Sequence, residues 1–313
     1  MAPEARKVAA YRGLLPVHGP TSAVVSEPVR GLGADGSPPA RAEVSVDGQG
    51  DSDVRSQSEL VSAANRNYVG SYRKLVEHSA EGEILEVGGV FAFVTGVPLS
   101  LFNGCVVVEP ATVTELDAAL EWVRRRGMPH RTWIAEEFAP GLSDVPPAHG
   151  LQRDPVPYPG MVLHPVPEPP PPSVGVTVVP VTESSLDEYL QVCMEGGLPP
   201  DLAQRLFSPS FAADPDVRLF TGRLEGRPVG TSVAIRSGDV SGVYAVGTLT
   251  AARRRGVGTA LTWAAVAASR AWGCDTIALQ ASDMGFSVYA AMGFRTVVSY
   301  AAFARPVPVE SSD

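Results

Sequence analysis

Lysine is nearly missing from this sequence. Lys7 and Lys74 are the only two, and the five histidines (His18, His78, His130, His149 and His164) all lie at or before His164. The C-terminal half therefore has no histidine base, no Schiff-base lysine and no phosphate-loop lysine, which weighs against serine-triad, pyridoxal-phosphate and NTPase chemistry there. Cysteine is scarce as well. Cys105, Cys193 and Cys274 form an odd set without C-x-x-C spacing, so neither a disulfide framework nor a zinc site is expected, and Cys193 and Cys274 read as small buried apolar residues. No apolar run approaches the ~20 residues that cross a bilayer, and the first twenty residues lack the continuous apolar segment of a secretory signal. A formal charge of −9 argues against a surface that tracks nucleic-acid phosphates. With 44% hydrophobic and 19% charged residues, the composition is that of a soluble globular protein, and a cytoplasmic location is the expectation.

The 313 residues suffice for two domains of about 100–150 residues with tails and linkers. Residues 1 to about 55, rich in Gly, Pro, Ala, Ser and Asp, sustain no helical period and read as a disordered arm; a misplaced start would look the same. A helix is expected near Ser58–His78, then strands at Ile84–Val87, Val90–Thr95 and Cys105–Val108. A helix opened by the capping-box pattern Thr112-Val-Thr-Glu115 follows, with Leu116, Leu120 and Val123 on one face and Gly127 as its stop. A strand at Arg131–Ala135 and a hydrophobic run at Met161–Leu163 close this half. His164-Pro-Val-Pro-Glu-Pro-Pro-Pro-Pro-Ser173 is a polyproline spacer that cannot join a sheet, and it marks the boundary. The expected domains are thus an arm (1–55), an α+β unit (56–163), a linker (164–175) and a second unit (176–313). In the last, strand Val176–Val179 precedes a helix opened by Thr182 and a short one ending near Phe207. Strands Val217–Leu224, Pro228–Arg236 and Gly242–Leu249 follow. A long helix from Val257 to Trp272, strand Thr276–Ala281, a short helix near Phe286–Met292 and strand Arg295–Phe303 complete the order.

Between the third of those strands and the long helix sits Arg253-Arg-Arg-Gly-Val-Gly258. Glycines at a helix entrance let a ligand approach the backbone, and the first helical amides have no intrahelical partner. Those amides, the helix dipole and three arginines suit an anion, with a diphosphate as the best-fitting ligand. A dinucleotide fingerprint would need G-x-G-x-x-G, but Leu261 stands at the third-glycine position and Asp275 precedes the next strand instead of ending it.

Strand, Arg253-x-x-Gly256-x-Gly258, helix, strand and then Tyr289-Ala-Ala-Met-Gly-Phe294 resemble the GNAT superfamily of N-acetyltransferases, over the whole element order from Val176 to about Pro306. The resemblance implies an α/β (α+β) GNAT fold, a mixed twisted sheet flanked by helices, and acetyl-CoA as co-substrate with no metal. By position, the backbone of Val246, Gly247, Thr248 and Leu249 would pair with the pantetheine arm. Arg254, Arg255, Gly256, Val257, Gly258 and Thr259 would hold the pyrophosphate. Ser282 stands where the family often has Asn, which leaves a cofactor contact there in doubt. Tyr289 matches the tyrosine that protonates the departing thiolate. Thiol and phenol pKa values of ~8.5 and ~10 are close enough for that transfer; the rival reading of Tyr289 is core packing with a satisfied hydroxyl. An amide such as that of Leu249 could stabilise the oxyanion. The base is open, with Glu195 as candidate beside a water relay.

The implied reaction is acetyl transfer to a primary amine, of a small molecule or peptide, by direct attack in a ternary complex. The alternative is a non-catalytic acyl-CoA sensor or assembly module, because fold does not fix function. The acidic balance leans toward small amines, amino acids or cationic antibiotics as acceptors. Neither nucleic acid nor membrane is an expected partner; a homodimer is one arrangement compatible with the chain.

The first half resembles a degenerate GNAT copy, making the whole a tandem arrangement. Ile134 to Gly150 spans the same distance as Ile277 to Gly293, His149-Gly-Leu151 aligns with Met292-Gly-Phe294, and Pro146 falls at the Tyr289 position. Its helix entrance has no glycines and carries Glu109 and Glu115, which would repel a diphosphate. Such a copy would complete the fold, wall the acceptor site or mediate self-association; an unrelated α+β domain is the other reading.

Overall fold

The computed structural model describes residues 55–306; the expectation for the N-terminal arm falls outside them. Helix α1 (Gln57–Glu77) starts at Ser56, which forms a full capping box with Glu59. A meander of β1 (Glu83–Val87), β2 (Val90–Val94) and β3 (Asn103–Val107) leads to α2 (Val113–Arg125) and β4 (Arg131–Ala135). Two single-turn helices, α3 (Ala139–Leu142) and α4 (Val145–Ala148), precede β5 (Gln152–Arg153) and β6 (Tyr158–Leu163). The proline-rich spacer that follows carries no strand or helix.

The second half opens with β7 (Val176–Pro180), then α5 (Leu186–Glu195), α6 (Pro200–Leu206) and α7 (Pro209–Ala213). Helix α7 has no counterpart in the sequence expectation; Ser208 caps it by accepting from the Phe211 amide, a signal hidden by its five-residue length. Strands β8 (Val217–Leu224), β9 (Arg227–Ser237) and β10 (Val240–Thr248) form the next meander, with Glu225 and Gly226 both at positive φ in the tight turn. Helix α8 (Val257–Ala271), β11 (Thr276–Gln280), α9 (Asp283–Ala291) and β12 (Arg295–Ala304) finish the chain. Helix α9 begins three residues earlier than its hydrophobic pattern suggests, because Ser282 caps it.

The twelve strands of the described residues belong to one sheet, ordered β1-β2-β3-β4-β12-β6-β11-β10-β9-β8-β7, with β5 beside β12. Each half repeats one pairing scheme: two antiparallel neighbours, then a parallel one across a helix, β3 with β4 and β10 with β11. The run at 161–163 does not close the first half. Strand β6 lies between β11 and β12, and β12 pairs on its other edge with β4. The two halves have exchanged their final strands, so Met161 and Leu163 pack in the core of the second half while Ala301 and Phe303 pack in that of the first.

The repeat extends to turn geometry. His149 and Leu151 donate backbone hydrogen bonds to the Pro146 carbonyl at 3.0 and 3.1 Å, and Met292 and Phe294 donate to the Tyr289 carbonyl at 3.0 and 3.0 Å. Gly150 and Gly293 both take positive φ, the usual helix exit. The two helix entrances differ. Thr112 accepts from the Glu115 amide and donates its own amide to the Glu115 carboxylate at 2.7 Å, so α2 satisfies its own entrance. Strands β3 and β4 stay paired through Val107 and Ile134, leaving no gap between them.

Candidate active site

Strands β10 and β11 pair only from Val240 to Gly242 against Thr276 to Ala278, and then they part. The parting coincides with a bulge: β10 is in register with β9 up to Tyr244–Val233 and resumes at Gly247–Thr231, with two residues facing one. Ala245 in the bulge has φ 49°, a strained value for a residue with a Cβ. Beyond it, the Leu249 amide donates to the Val229 carbonyl at 2.8 Å, so it already belongs to the β9 ladder and is not free to stabilise an oxyanion. Alternation along the strand then turns the backbone of Val246 and the Thr248 amide toward the gap. Val246 and Thr248 line the resulting cavity, whereas Gly247 and Leu249 do not.

At the wide end of this wedge the chain enters α8. Arg254 has φ 62° and Gly256 φ 80°, and Ala260 is the first residue whose amide bonds back, to the Gly256 carbonyl at 3.0 Å. Among the described residues nothing accepts from the amides of Val257, Gly258 or Thr259. A Cβ at Gly256 would come within 2.6 Å of Ser173 Oγ, so glycine is required there by both φ and space; one at Gly258 would make only ordinary contact with Thr248, 3.7 Å away. Arg253 donates to the Thr248 carbonyl at 3.2 Å and Arg255 to Glu225 at 2.7 Å. Arg254 is exposed and without a partner among the described residues. Three unpaired amides, a helix dipole and a free guanidinium form an anion cradle opening on the wedge.

The cavity, about 260 Å³, runs from Gly258 between the splayed strands to Tyr289 and on to α1 of the first half. The Tyr289 ring lies over Gly285, where a Cβ would meet it at 2.7 Å, and edge-on to Phe294 with centroids 6.0 Å apart. Burial pushes its phenol up to about 12, so it holds its proton throughout the neutral range. No described residue hydrogen-bonds its hydroxyl, so packing does not account for that group. Ser282 also lines the cavity, but its hydroxyl caps α9 by accepting from the Gly285 amide at 3.3 Å. Glu195 is exposed at the end of α5 and is not brought to the cavity.

Residues 196–287 match the model of the acetyltransferase (GNAT) domain. Over that stretch the chain is similar to GNAT acetyltransferase domains. Its fold is that of solved structures with that name. A GCN5-related N-acetyltransferase from Kribbella flavida is 23% identical with a TM-score of 0.59, over 78% of this chain and 96% of that one. A tandem GNAT protein from the clavulanic acid biosynthesis pathway is 11% identical with a TM-score of 0.51, over 80% and 97%. A GCN5-related N-acetyltransferase from Sphaerobacter thermophilus is 15% identical with a TM-score of 0.50, over 82% and 96%. No curated protein matches the sequence. No helix among the described residues is long and apolar enough to cross a membrane.

The cavity includes residues that the sequence pattern did not single out. Tyr68, Tyr72 and Leu75 of α1 form its far wall with Phe102, and Tyr244 donates to Asn67 Oδ1 at 2.5 Å, tying the bulged strand to α1. The spacing of Tyr68 and Tyr72, one helical turn apart, was the available signal, but it reads equally as core packing. Burial raises the phenols of Tyr68, Tyr72, Tyr189 and Tyr300. These four keep their protons above about pH 10, where the unfolded chain loses them. The folded state then binds more protons, so the stability they support is complete below about pH 10 and falls as pH rises through the shifted values. Each phenol should remove roughly 1.4 kcal/mol per pH unit. Urea midpoints taken between about pH 8 and 11 are expected to stay level and then drop steeply above 10; a level midpoint to pH 11 would mean these phenols ionise freely in the fold.

Proposed function

We propose that the protein transfers an acetyl group from acetyl-CoA to a primary amine, by direct attack in a ternary complex. The observation that carries this reading is the continuity of the cradle at Gly256–Thr259 with the wedge between β10 and β11, which ends at an unpartnered, protonated phenol. The residues fit the co-substrate. The amides of Val257, Gly258 and Thr259 with Arg254 would hold a diphosphate, and the edge of Val246 and Thr248 would pair with the amides of a pantetheine arm as an added strand does. Acetyl-CoA supplies the activated acyl thioester. Tyr289 holds a proton at Oη for the sulfur that leaves. In this reading residues 176–313 are the catalytic unit, and residues 56–163 are a degenerate GNAT-like copy that walls the acceptor end. Glu195 has no place in the mechanism proposed here.

The cavity lining, made among the described residues of aromatic, aliphatic and neutral polar side chains without a carboxylate or histidine, is the observation on the side of an acyl-CoA sensor. Cofactor binding is tested first. Saturation with acetyl-CoA at about 100 times its dissociation constant should add ~2.7 kcal/mol, a rise of a few degrees in Tm. The double variant Arg254→Glu, Gly256→Glu is expected to abolish the rise, since it places carboxylates at the cradle. Equal shifts in both proteins would move the cofactor away from α8, and none in either would sink the assignment.

A further inference from the structure

The acceptor end of the cavity is a chamber of aromatic and aliphatic side chains: Tyr68, Tyr72 and Leu75 of α1, Phe102 before β3, and Phe207 and Phe211 around α7. Among the described residues no Asp, Glu, His, Lys or Arg lines it. The charged groups on the elements that build it are directed elsewhere. Lys74 of α1 and His78 just after it meet Asp214 at 3.0 and 2.7 Å, and Arg73 of α1 pairs with Glu86. Arg205 of α6 binds Glu81 and the Gly96 carbonyl. Arg236 of β9 pairs with Asp216, and Asp283 of α9 is exposed. Behind the wall, Arg131 donates to Tyr158 Oη at 3.2 Å. An ammonium group in the chamber would therefore be desolvated without a counter-ion, which is strongly unfavourable. Gln280, at the end of β11, lines the cavity with its Nε2 buried and without an acceptor, so one polar contact is available for a neutral group.

We propose that the acceptor is an amine carried on an uncharged, ring-bearing apolar body, bound as the free base in a chamber whose far wall is helix α1 of the first half. This rests on the acyltransfer reading and narrows it, and among the small amines, amino acids and cationic antibiotics toward which net charge leans it keeps only amines without a second charge. Net charge reports the surface, whereas the chamber is neutral.

The test compares phenethylamine with diaminobutane, which replaces the ring by a second ammonium. Burying a ring should favour phenethylamine in kcat/KM by roughly 10- to 100-fold. Leu101, half-buried on the turn Ser100–Phe102, lines the same chamber. Leu101→Asp should cut that ratio at least about tenfold by supplying the missing counter-ion, and an unchanged acetyl-CoA shift in Tm reports that the variant is folded. A native ratio near one, or a preference for diaminobutane, overturns the proposal. If acetyl-CoA does not bind, the acyltransfer reading falls on its own. Calorimetry of phenethylamine and diaminobutane with the protein alone then decides the chamber: tighter binding of phenethylamine, by a margin that Leu101→Asp reduces, supports it, and no binding of phenethylamine or no margin overturns it.

Discussion

Cutting the chain within the proline-rich spacer is expected to yield two pieces of which neither folds alone. The second piece would lose β6, which bonds to β11 from Gly160 to Leu163 and to β12 from Tyr158 to Val162. Met161, Val162 and Leu163 are almost fully buried, and each such side chain contributes about 1.5–3 kcal/mol on burial. Strand β12 would also lose β4, exposing the faces of Tyr300 and Phe303 now buried in the first half. The combined loss is comparable to the roughly 5–15 kcal/mol that holds a whole domain together, and it leaves open strand edges prone to aggregation. Circular dichroism and thermal melts of residues 171–313 alone should report no cooperative transition, while co-expression with residues 1–170 should restore one. A monomeric second piece that melts cooperatively and binds acetyl-CoA would show that the exchanged strands are dispensable.

Tyr289→Phe is expected to lower kcat by roughly 100-fold or more, the usual contribution of a positioned general acid. The substituted ring keeps its packing against Phe294 and over Gly285, so the acetyl-CoA-induced rise in Tm should be unchanged. Because burial places the phenol at about 12, turnover by the native protein should show no loss from its ionisation below about pH 11. Unaltered turnover in the variant would mean that the leaving thiolate needs no proton from this residue. A native protein that binds acetyl-CoA and turns over no amine would favour the sensor reading, and the variant would then have no phenotype.

Much of this architecture was legible in the sequence because its signals are local. Thr112 with Glu115 announced a capping box, Glu225-Gly226 a tight turn, and the glycines at 256 and 258 a helix entrance open to an anion; each rests on backbone requirements within a few residues. Even the weak spacing match of Pro146 to Tyr289 corresponded to one hydrogen-bond pattern used twice. Other features were settled only by contacts between distant segments. Which strand lies beside β11 depends on pairing energies across more than a hundred residues, and β6 and β12 are equally apolar, so composition cannot tell a retained strand from an exchanged one. The Leu249 amide was lost to the oxyanion role through a bond to Val229 that depends on the two-residue bulge at Ala245 and Val246. The proposed acceptor chamber was equally out of reach of local reading. The sequence determined the candidate anion cradle by itself, since its amides belong to consecutive backbone groups. Only the tertiary structure decided the apolar chamber proposed to hold the acceptor, where α1, the turn at Phe102, α7 and α9 meet, because an apolar pocket exists only where separate elements fail to fill the space between them.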